Sequence, residues 1–443
     1  MRLIAYGLVL TVLAFPCWGA TIIVDQNGAG DFTNIQDALN SSWHNDIILV
    51  YPGTYNENIS VSGVNILLTS EDPNDSNTVN ATMITGSVSF QVGQKSTLTG
   101  FKLEGASITC YGASPVITKN IIENCDDDTM TEGGAIRGYA ASAPEITYNI
   151  IRNNRIYLTI NTVSVTAVGG AIANCNGLIA HNVIAGNIAV VDRSYAPYNK
   201  EQTAHTYGGG LYQCNGTIIN NTIVGNVCSS KSGPVGTNKF SEALGAGLYN
   251  CNGIVVNNII AFNQCKVSVS QLGYGVIDGG GIYRQCQNSY NCFWQNLPND
   301  LAGGALAGEG DFGGNPRFAE DGNMGSYYQW IYGDYHLKSQ AGRWDSNSLQ
   351  WVNDSVTSYC IDMGDPCTPI GIEPNPNGAR INMGVYGGTS QASKSPSGIV
   401  QPVCTESPAM DFNKDCKVDY RDFAIFVQSW LECNLDPPEA CFQ

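Results

Sequence analysis

The chain has 443 residues, 50 of them glycine, with 13% charged side chains and a formal net charge of -17. Such an excess of carboxylates argues against nucleic acid or an anionic membrane surface as partner, and an anionic substrate would need a bridging cation. The apolar content suits one long continuous core, and no stretch beyond the first twenty residues is long and apolar enough to span a bilayer.

Residues 1–20, "MRLIAYGLVLTVLAFPCWGA", carry one Arg, an apolar run, then Pro and small residues. This pattern reads as an export signal and predicts a secreted or cell-surface protein. In the next segment, "TIIVDQNGAGDFTNIQDALNSSWHNDIILVYPGTYNENI", Phe32, Ile35, Ala38 and Leu39 share one helical face. A helix there would plug the open end of a stacked structure. The segment resembles the opening of pectin methylesterases and of many other proteins of the pectate lyase superfamily. That resemblance implies a fold. The later esterase motifs, of the kind QDTL and DFIFG, are absent, as are the Asp-pair, GHG and RIK signatures of polygalacturonases and a GxSxG elbow.

Further along, "CDDDTMTEGGAIRG" groups Asp126, Asp127, Asp128 and Glu132 beside Arg137. Carboxylates of this density suit Ca2+. Abstracting a proton next to a uronate carboxylate needs a cation to neutralise that carboxylate and a base to take the proton. In pectate lyases, which the superfamily resemblance brings in, Asp-bound calcium and an Arg or Lys supply these. Asp127, Asp128 and Arg137 are therefore the candidate catalytic residues; the plain alternative is a solvated acidic turn.

The central third is repetitive. "GGGLYQCNGTIINNTIVGN" at Gly208 returns as "GAGLYNCNGIVVNNIIAFN" at Gly245, with further copies at Gly133, Gly169 and Gly279, spaced 36, 39, 37 and 34 residues apart. Each copy offers short Ile, Val, Leu and Thr runs between Gly and Asn, with no sustained helical period. Repeats of strands alone satisfy their backbones by pairing each strand with its equivalent in the next copy, which is a right-handed parallel β-helix. The stack is expected to put Ile184, Ile223 and Ile260 inside and Asn187, Asn226 and Asn263 at a turn, where Asn tolerates left-handed angles and can bond to the next amide.

Each repeat has more residues than a coil needs, and the surplus leaves after Arg155, Asn187, Asn226 and Asn263. Exits on one edge predict a wall of loops beside a flat sheet, hence a groove. Alternation then points Arg137, Ala173, Tyr212, Tyr249 and Tyr283 outward in a row of four rungs, roughly 19 Å long. Tyr212, Tyr249 and Tyr283 are the candidate substrate-binding residues, since sugar rings offer apolar faces to aromatic rings. The alternative is that Tyr stacks on Tyr to cover glycine-rich backbone.

Near the far end, "CIDMGDPC" and "INMGVYGG" resemble the distal end of many bacterial right-handed β-helix proteins, placing the solenoid at residues 21–388. Residues 389–403, rich in Ser, Pro and Gln, read as a linker. In the tail, 404–443, "DFNKDCKVDYRD" sets Asp411, Asn413, Asp415, Lys417, Asp419 and Asp422 at positions 1, 3, 5, 7, 9 and 12 of an EF-hand-type calcium loop. It resembles half of a bacterial dockerin, which implies a cohesin-like partner, although Cys416 stands where Gly is usual and no second loop follows. Of sixteen cysteines, Cys175, Cys214 and Cys251 share one repeat position, as buried thiols or bridged neighbours, and Cys360 and Cys367 are spaced for a short loop disulfide.

Two readings result. One is an exported protein that binds or degrades polysaccharide, as a calcium-assisted lyase on acidic glycans; the other is a noncatalytic surface or adhesion module.

Overall fold

The computed structural model describes residues 19–128, 131–159, 164–193, 202–231, 239–269, 273–284 and 286–396, together with residues 410, 418, 423, 426 and 427. The chain forms a right-handed parallel β-helix of three sheets. Face one has ten strands, from Thr21–Val24 to Gln287–Ser289; face two has ten, from Gly53–Tyr55 to Phe312–Gly313; face three has nine, from Ile59–Val61 to Leu301–Ala302. The 208 and 245 copies pair in parallel and in register, Ile218 with Val255, Ile223 with Ile260 and Leu211 with Leu248. Ile184, Ile223 and Ile260 are fully buried in the central core, as expected. At the N-terminal end Ile35, Ala38 and Leu39 of a short helix, Ile35–Ser41, are buried in the same core, with Phe32 packed against it.

The buried asparagines form two ladders. In one, the side-chain amide of Asn187 donates to Asn226 Oδ1 at 3.0 Å and that of Asn226 to Asn263 Oδ1 at 2.9 Å, while each also donates to a strand carbonyl. The second, through Asn149, Asn182, Asn221 and Asn258, follows the same scheme at the turn between faces one and two. The left-handed angle does not fall on the ladder residue. It falls on the residue before it, Asn153, Gly186, Gly225 and Phe262 in the first ladder, with φ between 53° and 63°. Asn is required for its amide, and the preceding position carries the bend. The cysteines are stacked thiols: Cys175, Cys214 and Cys251 are buried and unbridged, and Cys360 and Cys367 are free as well, so the expected short loop disulfide is absent.

The surplus segments do build a wall, and it is ordered. Their outgoing limbs form a five-stranded parallel sheet from Asp126–Asp127 to Gln264–Ser268, and the returning limbs a four-stranded one from Ser164–Val168 to Tyr274–Asp278. Between them lies a small core of Ile156, Leu158, Val165, Ala189, Val191 and Ala204. The result is a two-layered fin standing beside face three.

Parallel pairing ends at Phe312–Gly313, and the following strands pair antiparallel, Phe318–Glu320 with Asp334–Leu337 and Arg343–Asp345 with Gln350–Val352. This segment lies along the side of the solenoid instead of closing its far end. Asn220 donates to the carbonyls of Asn382 and Gly384, and Asp365 N donates to Asn257 Oδ1 at 2.6 Å. Trp330 packs over face two where Gly225 leaves room, since a Cβ there would sit 2.3 Å from the indole. Part of the expected linker belongs to this clasp: Ala392, Ser393 and Ser395 are buried, because Lys394 N bonds to Gly342 O at 2.9 Å. Residues 1–18 of the expected export signal and the expected calcium ligands of the tail, Asp411, Asn413, Asp415, Lys417, Asp419 and Asp422, lie outside the described residues.

Replacing Asn226 by Ala leaves the backbone N–H and amide of Asn187 without their shared acceptor in a fully buried turn. The expected loss is about 2–5 kcal/mol, read as a lower denaturant midpoint with little change in strand content by circular dichroism.

Candidate functional site

The clasp covers the later coils of face two, whereas face three and the flank of the fin are left open beside each other. The outward residues of face three stand in one register line, Ser60, Ser89, Thr109, Arg137, Ala173, Tyr212, Tyr249 and Tyr283. The line changes chemistry at Arg137. Before it the side chains are small hydroxyls, and they floor a groove of about 380 Å³ whose lining also includes Asn58, Ser87, Ser107 and Tyr111. Arg137 closes one end; it is 4% exposed, and its Nη2 donates to Ser107 Oγ at 3.0 Å.

After Arg137 the line becomes aromatic. Tyr212 and Tyr249 stack at 5.6 Å and 7°, and Tyr249 and Tyr283 at 5.5 Å and 1°. The register puts the three together as the sequence implied, but their faces cover one another. A ligand running along the axis therefore meets ring edges and hydroxyls. Burial raises the phenol pKa values of Tyr212 and Tyr249.

The acidic loop is dispersed. Asp126 and Asp127 form the fin's first strand, against Arg155 and Ile156. Asp126 is held by Arg155, whose Nε donates at 2.9 Å and whose Nη2 reaches the other carboxylate oxygen, and Glu132 accepts from Asn174 Nδ2 at 2.9 Å. Asp128 is exposed and the side chain of Asp127 lies outside the description, so a role for this pair with Arg137 rests on sequence alone. Among the described residues no group of three or more His, Cys, Asp or Glu is placed to hold a metal ion.

The sequence reading missed a cluster on the fin. Strands Gln202–Tyr207 and Lys239–Leu244 pair His205 with Glu242. His205 Nδ1 lies 3.1 Å from Glu242 Oε2 and 3.0 Å from the Tyr207 hydroxyl, which also donates to Glu242. The Tyr207 ring stacks on Tyr249 at 4.5 Å, joining the fin to the aromatic line. Burial, and then the bond to Glu242, hold the Tyr207 phenol far above its usual pKa. The signal was present: His205 and Glu242 each stand three residues before the glycine that opens a repeat.

A family described as "Disaggregatase related", of β-helix type, matches residues 199–364, under half of the chain. No curated protein and no solved structure matches. The matched stretch contains Tyr212, Tyr249, Tyr283 and the His205 cluster, and it excludes Arg137 and the acidic loop. The fold and this match are compatible with a polysaccharide-related β-helix protein.

Tyr249 touches three rings, so Tyr249→Ala is expected to cost about 3 kcal/mol, whereas Tyr249→Phe keeps the stack and should stay within about 0.5 kcal/mol of wild type in denaturant titrations.

Proposed function

We propose that this is an exported protein that holds an acidic polysaccharide along face three. The observation that carries the reading is the groove ending at Arg137: hydroxyl groups repeat rung by rung beside the amide of Asn58, and one guanidinium stands at its end. Sugar hydroxyls match such a floor, and a guanidinium pairs with a uronate carboxylate through two parallel hydrogen bonds. The edges and hydroxyls of Tyr212, Tyr249 and Tyr283 extend the track. Cleavage by elimination is the activity this surface would support. The self-stacked rings favour a second reading, a noncatalytic adhesion module, because their faces are already occupied.

The acidic loop as folded does not gather its carboxylates for calcium, since Asp126 is taken by Arg155 and Glu132 by Asn174. Asp411, Asn413, Asp415, Asp419 and Asp422, with the carbonyl of Lys417, would wrap one Ca2+, and the helix pattern after them would meet a cohesin-like partner. Calorimetry on the full chain and on a chain ending at Ser395 should show one calcium site that only the full chain has; equal heats would refute it.

For the groove, Ser89→Phe fills the floor from an outward position and Arg137→Gln removes the charge. Each should weaken retention on immobilised polygalacturonate, alginate or hyaluronan at least tenfold, about 1.4 kcal/mol. Undiminished retention by a folded Ser89→Phe protein would place the glycan elsewhere.

A further inference from the structure

The His205 cluster has the parts of a proton-transfer site, and neither the Tyr ladder nor the fin core needs them. Its side chains leave the fin on the side opposite the small core, where the neighbouring positions Ala204 and Ala243 point inward. A buried structural role would call for apolar residues in that line. Instead it holds an imidazole and a carboxylate, 19% and 20% exposed. His205 is steadied by rings, Phe240 at 5.6 Å and Tyr207 at 5.9 Å.

The hydrogen bonds fix the chemistry. With Nδ1–H donated to Glu242, the basic nitrogen of the ring is Nε2, which makes no hydrogen bond among the described residues. A carboxylate on Nδ1 orients an imidazole and stabilises its protonated form, the arrangement that makes His an effective general base. Tyr207 gives its hydroxyl hydrogen to the same carboxylate and so stays a neutral phenol. Positive charge is also at hand. Arg284 is exposed, stands over the Tyr249 ring at 5.5 Å and forms no ion pair among the described residues. Tyr249 thus has the base cluster on one side and a cation on another.

We propose that His205 is the general base of an elimination reaction on an acidic glycan, with Glu242 and Tyr207 positioning it and Arg284 neutralising the uronate carboxylate. This rests on the reading that face three holds such a glycan. Nε2 takes the proton on the carbon next to the carboxylate. The electron pair of that C–H bond becomes a C=C bond to the neighbouring carbon, and the glycosidic C–O bond on that carbon breaks. The departing oxygen then takes up the proton that His205 removed, so no water and no oxidant is consumed.

The test uses the full chain with polygalacturonate, alginate, hyaluronan and chondroitin sulfate, following retention on the immobilised glycan and the ultraviolet absorbance of unsaturated ends in parallel. Wild type should generate absorbance on at least one glycan that it retains. His205→Gln should lower that rate about 100-fold or more with retention within twofold. Glu242→Gln keeps the shape and should lower kcat at least tenfold with KM little changed, as expected of a positioning residue; Tyr207→Phe preserves the stack and reports on the hydroxyl alone. Near-ultraviolet circular dichroism checks that the variants keep the aromatic ladder. Retention without product from wild type, or a folded His205→Gln protein that works at the wild-type rate, overturns the assignment and leaves the binding reading standing. Failure of wild type to retain any of the four overturns both.

Discussion

The structure depends on how a buried primary amide is satisfied. An Asn side chain has two N–H donors and one carbonyl oxygen that accepts twice. At Asn226 the oxygen takes the backbone N–H and the side-chain N–H of Asn187, while its own amide gives one hydrogen to Asn263 and the other to the carbonyl of Ile184. This closes only when the same residue recurs one rung later at about 4.8 Å. The repeat is therefore a condition for burying the turn at all. The ladders end accordingly: Asn291 passes its hydrogens to Asp311, and Asn296 passes one to Asp300. A carboxylate accepts without leaving a donor over, so it can terminate a row that another Asn would only prolong.

Register fixed so firmly at the turns makes each face a line on which single positions vary freely. Most inward positions hold Ile, Leu or Val, which pack against their equivalents on the next rung. Outward positions of face three obey no such restriction, and the line runs from Ser through Arg to Tyr. Surface chemistry is thus written along the axis at one residue per coil, and a linear polymer is the ligand whose own repeat can follow it.

Much of this was legible in the sequence, because repeats announce register. Spacing of the Gly-rich phrases located the inward Ile, the Asn at the turn and the outward Tyr without any contact being known. Three features were not legible. The bend precedes the ladder Asn, and only Gly186 and Gly225, in the copies that open at Gly169 and Gly208, hinted at it. The clasp bonds to Asn220 and Asn257 from residues more than 100 positions away, a separation that local pattern cannot reveal. In the acidic loop, adjacency suggested convergence, yet Asp126 turned to Arg155 on the next rung. In a solenoid the nearest neighbour is one coil away, and adjacent residues point to opposite sides.

That geometry also explains why the fin, more than the coil, can supply reactive groups. In the coil an outward residue is flanked above and below by its equivalents, so a repeated Tyr meets Tyr and uses its faces on itself. The fin strands lie outside the repeated phrase and change from copy to copy. His205 has Thr166 on one side and Glu242 on the other. Unlike neighbours at rung spacing are what a donor and acceptor pair needs, and the stack that punishes variation in the turns permits it there. Tyr207, reaching from this variable sheet onto Tyr249, brings those unlike groups to the edge of the uniform line.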